Sequence, residues 1–301
     1  MDSTDFLNEL APEAERLLER HLATSKEWFP HQLVPWEEAG VSDPRQDWDP
    51  AHYPVPDAVR TALVVNLLTE DNLPYYTCRI NHLFNEDHPW GAWARRWTAE
   101  EGRHSIVIRD YLTVTRAVDP IGLERMRMQQ VSHGFHQPID GAAEGLVYVA
   151  LQELATRISH RNTGKLLTDP AGYEVMARVA ADENYHYLFY RDVATAALSV
   201  DPSAMVMAME RQVRDFEMPG AGIEGFRDHA KAIARAGIYD FEIHHDQILV
   251  PVILQKWRLE SLEGLTPEAE EARVALLRRM EKIKRVAGRL SERRQEMVAT
   301  G

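Results

Sequence analysis

Cysteine is nearly absent from this sequence, which has one, Cys78, among its 301 residues. A lone cysteine excludes an internal disulfide and suits a reducing compartment, so the cytoplasm is the expected location. Cations are also scarce: 34 lysines and arginines against 47 aspartates and glutamates give a formal charge of −13, which argues against a general nucleic-acid binder. No run of 18 apolar residues occurs, so no transmembrane segment is predicted. The acidic, amphipathic start resembles neither a signal peptide nor a transit peptide.

Glycine and proline number only 16 each, and long stretches rich in alanine, leucine, glutamate and arginine favour helix. No segment of strand length alternates between apolar and polar residues, so the sequence predicts an all-α fold. No linker or low-complexity segment interrupts the chain, which predicts one domain over residues 1–301. The predicted helices cover residues 3–24, 57–85, 88–116, 143–163, 171–199, 203–215, 222–236, 240–262 and 266–298.

Proline marks two irregular places in this helical pattern. Residues 28–57 contain six prolines and two Asp-Pro steps, which predict an irregular N-terminal strap. Pro74 falls inside the helix predicted over residues 57–85. It cannot donate to the carbonyl of Glu70, four residues earlier, so a kink in a continuous helix is the prediction. A helix end near Asn72 followed by a restart is the alternative.

One arrangement of glutamate and histidine occurs twice in the chain. Each copy is a lone glutamate followed about thirty residues later by Glu-x-x-His, and two helices and a turn fit in that interval. The copies are Glu70 with Glu101 and His104, and Glu153 with Glu183 and His186. Residues three apart lie on one helix face, so the copies place four carboxylates and two imidazoles on four facing helices. That is the ligand set of ferritin-like di-iron or di-manganese carboxylate bundles.

The surroundings of these residues support a metal site. Apolar residues follow helical spacing on either side of the proposed ligands, and a buried carboxylate is costly unless it is paired or bound to a metal. A ligand set without cysteine suits iron or manganese rather than thiolate-bound zinc. Each histidine also needs an acceptor for its second ring nitrogen. We predict Glu100 and Asp182 in that role, each for the histidine of the opposite copy, because they directly precede Glu101 and Glu183.

Two nearby histidines, His245 and His160, are interpreted as ordinary polar side chains. A third Glu-x-x-His, formed by Glu242 and His245, has no lone glutamate about thirty residues upstream in a matching helix, and it is interpreted as a solvated or incidental pair. His160, which shares a predicted helix face with Glu153, is interpreted as a helix cap or a polar group that is satisfied by hydrogen bonds.

Four segments give the chain a family resemblance: TEDNLPYY (69–76), RRWTAEEGRH (95–104), LQELATRISHRNTG (151–164) and AADENYH (180–186). They are similar to the soluble acyl-acyl-carrier-protein desaturases, most of all to the actinobacterial branch, and the resemblance runs from about Trp28 to Trp257. It implies a ferritin-like helical bundle with additional flanking helices, usually homodimeric, in which two iron ions are held by the six residues of the two copies. It also implies a catalytic role for Thr156 beside the oxygen site.

The resemblance implies an O₂-dependent reaction in fatty acid metabolism: insertion of a cis double bond into a saturated acyl thioester on acyl carrier protein, with ferredoxin supplying electrons. An alternative is a di-iron hydroxylase or oxidase of another carrier-bound substrate. A radical-generating subunit like that of ribonucleotide reductase would need a tyrosine beside the iron pair. Iron storage is disfavoured, because ferritin subunits are shorter and lack two full Glu-x-x-His copies.

The chain departs from the family pattern at two positions. Gly102 stands where the family usually has asparagine within the first Glu-x-x-His, and Tyr185 stands where a basic residue often precedes the second histidine. A glycine inside a helix costs about 0.5–1 kcal/mol relative to alanine. Its presence predicts either a close approach by another backbone or a looser ligand turn, and both departures allow an altered substrate or an oxygenation outcome.

The C-terminal helix predicted over residues 266–298 carries a basic stripe in an acidic chain. On that helix Arg278, Lys282, Arg285 and Arg289 share one face by their spacing. Acyl carrier proteins and ferredoxins are acidic, so the stripe is a candidate docking surface; a solvated, salt-bridged helix face is the alternative. Arg95 and Arg96 form a smaller candidate patch.

Overall fold

In the computed structural model, residues 2–40, 47–53, 55–135 and 138–300 are described, without the side chains of residues 39, 40, 52 and 293–300. Within these ranges every regular element is a helix, as predicted. The α-helices are α1 Ser3–Thr24, α2 Pro30–Leu33, α3 Asp57–Glu70, α4 Leu73–Phe84, α5 Trp90–Val114, α6 Pro120–His133, α7 Gly141–Lys165, α8 Pro170–Val200, α9 Pro202–Arg214, α10 Phe226–Arg235, α11 Phe241–His244 and α12 Pro267–Thr300.

Four of these helices, α3, α5, α7 and α8, form the bundle that carries the repeated glutamates and histidines. The close approach of α7 and α8 depends on Gly164, where an added Cβ would lie 2.9 Å from the Cβ of Met176. Around the bundle, α1, α4, α9 and α12 contribute to one large apolar core. A second core is formed by α3, the C-terminal part of α5 and the N-terminal part of α8. No helix in the described part of the chain is long and apolar enough to cross a membrane.

The predicted kink at Pro74 is wrong, because the structure has two helices there. α3 ends at Glu70, residues 71 and 72 form a turn, and α4 begins at Leu73. The amide of Asp71 still donates to Leu67, but the amide of Asn72 turns to the nearer carbonyl of Thr69. Since Pro74 has no N–H for the carbonyl of Glu70, the α-helical ladder stops at that residue. The break places Glu70 at a helix end.

A helix over residues 120–133 was not predicted from the sequence. α6 begins with a clear local signal, because the carboxylate of Asp119 accepts from the amides of Ile121 and Gly122, and Pro120 occupies the first helical position. Its two faces differ little in polarity, and only Leu123 and Gln130 are buried. Without an apolar stripe, the periodicity that reveals the other helices is missing.

Two predicted segments differ from the structure in detail. The strap over residues 28–57 is not wholly irregular, since it contains α2 and 3₁₀ turns at Trp36–Gly40 and Pro50–His52; residues 41–46 and 54 lie outside the described ranges. The helix predicted over 240–262 is α11 followed by a π-helix, His245–Lys256, and a 3₁₀ turn at Leu259–Ser261. Pro251 lies inside this segment and lacks the N–H that a regular α-helix would need.

Candidate metal centre

The bundle brings the six residues of the two copies into one buried cluster. Glu70 ends α3, Glu101 and His104 lie on α5, Glu153 lies on α7, and Glu183 and His186 lie on α8. All six side chains are buried, with no more than 8% of any one exposed. Helical spacing on four different elements therefore converges on one point in the interior.

Two groups of four ligand atoms can be drawn within this cluster, and in each group the atoms lie within 4.8 Å of one another. One group is Glu70, Glu101, His104 and Glu183; the other is Glu101, Glu153, Glu183 and His186. Each group has its own glutamate and its own histidine, while Glu101 and Glu183 belong to both. Two adjacent ions could therefore be held here, with Glu101 and Glu183 available to both.

The orientation of the polar atoms fits metal ions better than a hydrogen-bonded network. The Nδ1 atom of His186 lies 2.7 Å from Oε1 of Glu101, yet neither atom has a partner in hydrogen-bonding geometry. The same is true of Nδ1 of His104 and of one carboxylate oxygen each on Glu153 and Glu183. Buried polar atoms in proteins are nearly always paired, so lone pairs that converge without a proton between them indicate a cation site.

The electrostatics lead to the same inference. Burial raises the pKa of Glu153 well above its usual range, and the charges of Glu183 and Glu101 add to the rise. Burial alone would lower the pKa of His186, but Glu100 and Glu101 outweigh it and raise that pKa to about 10. Without a metal, the charge of the cluster would therefore favour a proton on Glu153 and on His186. Metal binding would replace those protons, since ligands bind metal in their deprotonated forms.

Both predicted outer acceptors lie against the histidine of the opposite copy. Nε2 of His186 lies 3.0 Å from Oε2 of Glu100, and Nε2 of His104 lies 3.5 Å from Oδ2 of Asp182. In both histidines Nδ1 faces the carboxylate cluster. Each imidazole is thus placed with one nitrogen toward the proposed ions and the other toward an outer carboxylate, which is the arrangement that fixes a metal-binding histidine.

The partners of these outer carboxylates were not predicted. Asp182 accepts from the indole Nε1 of Trp28 at 2.8 Å and from Arg103 at 2.8 Å, and Arg178 lies 3.3 Å away. Trp28 belongs to the strap, 154 residues from Asp182. Burial tends to raise the pKa of Asp182, but the adjacent imidazole of His104, the charge of His186 and the hydrogen bond from Trp28 lower it to about 2. The carboxylate therefore stays charged at neutral pH.

Glu100 has a different set of partners from Asp182. Its Oε2 lies 2.8 Å from Nε2 of His21 on α1, and its Oε1 lies 2.5 Å from Arg96. Burial would raise the pKa of Glu100, but the histidine contacts hold it well below its usual range. Arg96 pairs with Glu100 while 40% of its side chain stays exposed, so the surface patch with Arg95 stays a prediction.

The two halves of the cluster also differ next to their lone glutamates. Nε2 of His160 lies 2.9 Å from Oε1 of Glu70, so His160 is a hydrogen-bonded polar group, as interpreted from the sequence, and its partner is a proposed ligand. At the other lone glutamate, the indole of Trp97 donates to Oε1 of Glu153 at 3.0 Å. An imidazole can carry positive charge and an indole cannot, so the repeated ligands have unequal neighbours.

Two cavities reach the cluster from different sides. The α4 cavity, between α4 and α7, has an empty volume of about 590 Å³ including its mouth. The α10 cavity, beside α10, has about 540 Å³ measured in the same way. Thr69, Glu70 and Thr156 line both cavities, so these three side chains stand where the two cavities adjoin beside the cluster.

Thr156 lies at this junction, one helical turn after Glu153. Its hydroxyl is within hydrogen-bonding distance of two carbonyls of its own helix, those of Gln152 at 3.2 Å and Glu153 at 3.1 Å. The same side chain lines both cavities. The hydroxyl is thus placed both to satisfy its helix and to face a molecule in either cavity.

Gly102 is not explained by a close approach of another backbone. An alanine Cβ at this position would have Leu73 Cδ2 as its nearest neighbour, at 3.8 Å, which is ordinary van der Waals contact. That part of the expectation is wrong. Tyr185, the other departure from the family pattern, packs edge-on against His21 with ring centroids 6.0 Å apart.

We expect Gly102→Ala to raise the free energy of unfolding by about 0.5–1 kcal/mol, because α5 gains helix propensity and no clash. Urea unfolding of the parent and the variant would measure the difference. Gly91→Ala on the same helix is the matched control, since its Cβ would lie 2.0 Å from the carbonyl oxygen of Glu86; it should destabilise. Loss of stability in Gly102→Ala would show that the ligand turn needs glycine.

The third Glu-x-x-His lies outside the cluster. Glu242 and His245 belong to neither group of potential metal ligands in the described part of the chain. Nδ1 of His245 instead lies 2.6 Å from Oδ1 of Asp246. The separation of this pair from the repeated unit agrees with the interpretation from spacing.

Comparisons with known proteins agree with this site. A family model described as fatty acid desaturase matches residues 2–300. A Mycobacterium tuberculosis protein named as an acyl-[acyl-carrier-protein] desaturase, DesA1, is 44% identical over 278 residues, covering 89% of this chain and 82% of that protein. The stearoyl-[acyl-carrier-protein] 9-desaturase 6 of Arabidopsis thaliana is 33% identical over 265 residues, covering 82% of this chain and 67% of that protein.

A solved structure shares the architecture. The X-ray structure of DesA2 from Mycobacterium tuberculosis H37Rv aligns with a TM-score of 0.69 and 28% identity, covering 89% of this chain and 99% of that chain. The predicted ferritin-like helical fold is confirmed by this likeness.

Proposed function

The chain belongs to the fatty acid desaturase family, and we propose on that basis that it removes two hydrogens from a saturated acyl chain carried as a thioester on acyl carrier protein. The relatives named as acyl-carrier-protein desaturases support this substrate. The family resemblance seen in the sequence is confirmed by the same matches.

The observation that carries the proposal is that the ligand cluster forms part of the wall of the α4 cavity. Glu70, Glu101, Glu183 and Thr156 line the α4 cavity together with apolar and aromatic side chains. A flexible hydrocarbon has no polar group for an enzyme to hold near its middle, so a cavity with largely apolar walls is the means of placing one methylene pair beside the ligands. The α10 cavity adjoins it on the other side of Thr156.

The residues of the cluster fit two iron ions, held by the six glutamates and histidines of the two copies. Bound iron would supply the reductive activation of O₂ that breaking unactivated C–H bonds requires. Glu100 and Asp182 would orient His186 and His104, and the apolar cavity walls would exclude water from the reacting bond. Thr156 would hold a proton at Oγ1, beside the junction of the two cavities.

Product analysis tests the proposed reaction. Iron-loaded, reduced protein is incubated with O₂ and a stearoyl thioester of acyl carrier protein, and the products are analysed by mass spectrometry. Loss of two hydrogens with a cis double bond is the expected result. Gain of one oxygen without an alkene would instead support the hydroxylase alternative, and failure of fully loaded protein to convert any acyl thioester, whatever its chain end, would contradict both.

We expect Thr156→Val to slow product formation by about 10²-fold, the lower end of what a positioned proton donor contributes. Valine preserves the shape and removes the hydroxyl, so iron content should be unchanged. Electrons consumed without product should appear as released hydrogen peroxide, which is measured alongside the alkene. Thr163→Val on the same helix is the control, because Thr163 is also buried and bonds to its own helix but lines neither cavity. Equal coupling in Thr156→Val and the parent would exclude Thr156 from the chemistry.

We propose the exposed face of α12 as the docking surface for acyl carrier protein or ferredoxin. Arg278, Lys282, Arg285 and Arg289 are all exposed there. An acidic partner approaching a protein of net charge −13 would be repelled unless a local basic surface overrides the overall field. A homodimer and a cytoplasmic location complete the proposal, on the family resemblance and the lone cysteine respectively.

Reversing Arg278, Lys282 and Arg285 to glutamate should weaken the binding of at least one of these two partners. The loss should shrink as salt rises, because exposed charges are screened over about 10 Å at 0.1 M. Binding constants across a salt series measure it. The matched control reverses Arg125, Arg161 and Lys165, which are exposed elsewhere and change the net charge equally. Equal binding of both partners by the two triple variants would place docking outside α12.

A further inference from the structure

The far part of the α4 cavity contains a cation in otherwise apolar surroundings. Tyr76, Arg79, Ile80 and Leu83 line the cavity from one face of α4. From Tyr76 to Leu83 this face extends about 10 Å, at 1.5 Å per residue. Tyr76 is near enough to the cluster for the charges of Glu70 and Glu101 to raise its pKa, after burial as the main cause. Arg79 lies one turn further from the proposed ions.

The cavity is closed beyond Arg79 by tight packing of α4 against α7. A Cβ added to Gly145 on α7 would lie 3.0 Å from Cζ of Phe84 and 3.1 Å from Cδ1 of Leu83. Both of these α4 side chains are buried, with 1% and 5% exposed. The far end of a chain that entered past the proposed ions would therefore stop close to Arg79.

The guanidinium of Arg79 is only partly satisfied by the protein. One terminal nitrogen, Nη2, donates to the carbonyl of Ile139, but Nε is buried and lacks a hydrogen-bond partner. Among the described residues, no ion pair includes Arg79. On α7, Glu144 is paired with Arg211 at 2.5 Å and accepts from Gln212, so its carboxylate is engaged elsewhere.

An apolar chain end would leave the Arg79 guanidinium with still fewer hydrogen-bond partners. A methyl group packed against the guanidinium would exclude water from it and offer no acceptor, and an unsatisfied charged donor is costly to bury. An oxygen atom on the substrate would instead complete its hydrogen bonds. Arginine is well suited to such recognition, because its donors form a rigid fork and its charge is permanent.

We propose that Arg79 makes this enzyme select acyl chains that carry an oxygen function, a carboxylate or a hydroxyl, at the end away from the thioester. This inference rests on the proposed desaturase function and adds the class of acyl chain. Arg79 contacts the substrate's far end and takes no part in the chemistry at the ligand cluster.

Three carrier-protein thioesters of equal chain length test the inference: one ending in a methyl group, one in a hydroxyl and one in a carboxyl group. Rates of alkene formation at varied substrate concentration give kcat/KM for the parent and for Arg79→Met, which is of similar length and uncharged. We expect at least one oxygenated chain to exceed the methyl-ended chain by about 10- to 100-fold in the parent, as for a hydrogen bond to a charged group. In Arg79→Met that preference should disappear, with the methyl-ended chain used as well as or better than before.

Two further variants and one binding measurement exclude a general effect. Arg79→Lys keeps the charge without the fork and should retain part of the preference, whereas Arg125→Met, at an exposed position on α6, should leave it unchanged. Thermal stabilisation of each protein by the oxygenated thioester, without turnover, gives a second readout. Iron content shows whether each variant is folded at its centre.

The outcomes separate this inference from the proposed function. If the parent uses the methyl-ended chain best, or if Arg79→Met keeps the parent's ranking, Arg79 does not select the chain end and the inference is wrong. Equal losses on all three chains would place Arg79 at the thioester end and also overturn it. If iron-loaded parent converts none of the three to an alkene, the proposed function itself fails.

Discussion

Glu183→Ala should leave the protein with almost no bound iron and no measurable alkene formation. Glu183 belongs to both groups of ligands, so its removal takes one carboxylate from each proposed ion. Loss of an outer partner alone typically lowers metal affinity by about 10- to 100-fold, and loss of a shared ligand should exceed that range. Elemental analysis after anaerobic loading with ferrous iron and removal of free metal gives the number of ions per chain.

Glu153→Ala gives a graded comparison, because Glu153 belongs to only one group. This variant should retain about one ion under loading conditions that fill both positions in the parent. Its metal-free form should be no less stable than the metal-free parent, since burial and the charges of Glu183 and Glu101 make this carboxylate costly there. Glu242→Ala should keep both ions. Iron loss in Glu242→Ala, with normal content in Glu183→Ala, would show that the ligand assignment is wrong.

Asp182→Ala should lower iron affinity by about 10- to 100-fold although Asp182 is not a proposed ligand. The substitution removes the acceptor at Nε2 of His104 and leaves Arg103 and Arg178 without their shared carboxylate. Their unbalanced positive charge should repel the ions and favour the wrong orientation of the imidazole. Competition with a chelator of known affinity measures the change.

Asp192→Ala provides the matched control for that measurement. Asp192 also lies on α8 and also pairs with arginines, Arg20 at 2.9 Å and Arg191 at 2.6 Å, but it contacts none of the proposed ligands. A general effect of removing a paired carboxylate from α8 would appear in both variants. If Asp182→Ala binds iron as tightly as Asp192→Ala does, the outer carboxylates do not position the histidines.

The ligand cluster was predictable because the spacing between residues close in the sequence is enough to place its members together. Glutamate and histidine three residues apart share a helix face whatever else the chain does, and the equal spacing of two copies predicts facing helices. The positions of Glu100 and Asp182 follow from the same geometry, since each precedes a ligand by one residue. These inferences needed only helix geometry and the cost of burying charge.

The features that were missed depend on contacts between distant parts of the chain. His21 contacts Glu100 across 79 residues, and His160 contacts Glu70 across 90, so no spacing in the sequence reveals either. The end of α3 at Glu70 depended on a choice between kink and break at Pro74, and both satisfy the same local chemistry. The role proposed for Arg79 required the closure of the cavity by Gly145, Leu83 and Phe84.

The unequal neighbours of Glu70 and Glu153 have a consequence for how the two halves can change during evolution. A duplicated helix pair supplies the same ligands twice, but His160 and Trp97 give each copy its own electrostatic surroundings. Substitution of Trp97 would alter the surroundings of one proposed ion through Glu153, whereas substitution of His160 would reach both, because His160 also lies 3.5 Å from the shared Glu183. A change at Trp97 can therefore adjust one proposed ion position by itself, and a change at His160 cannot.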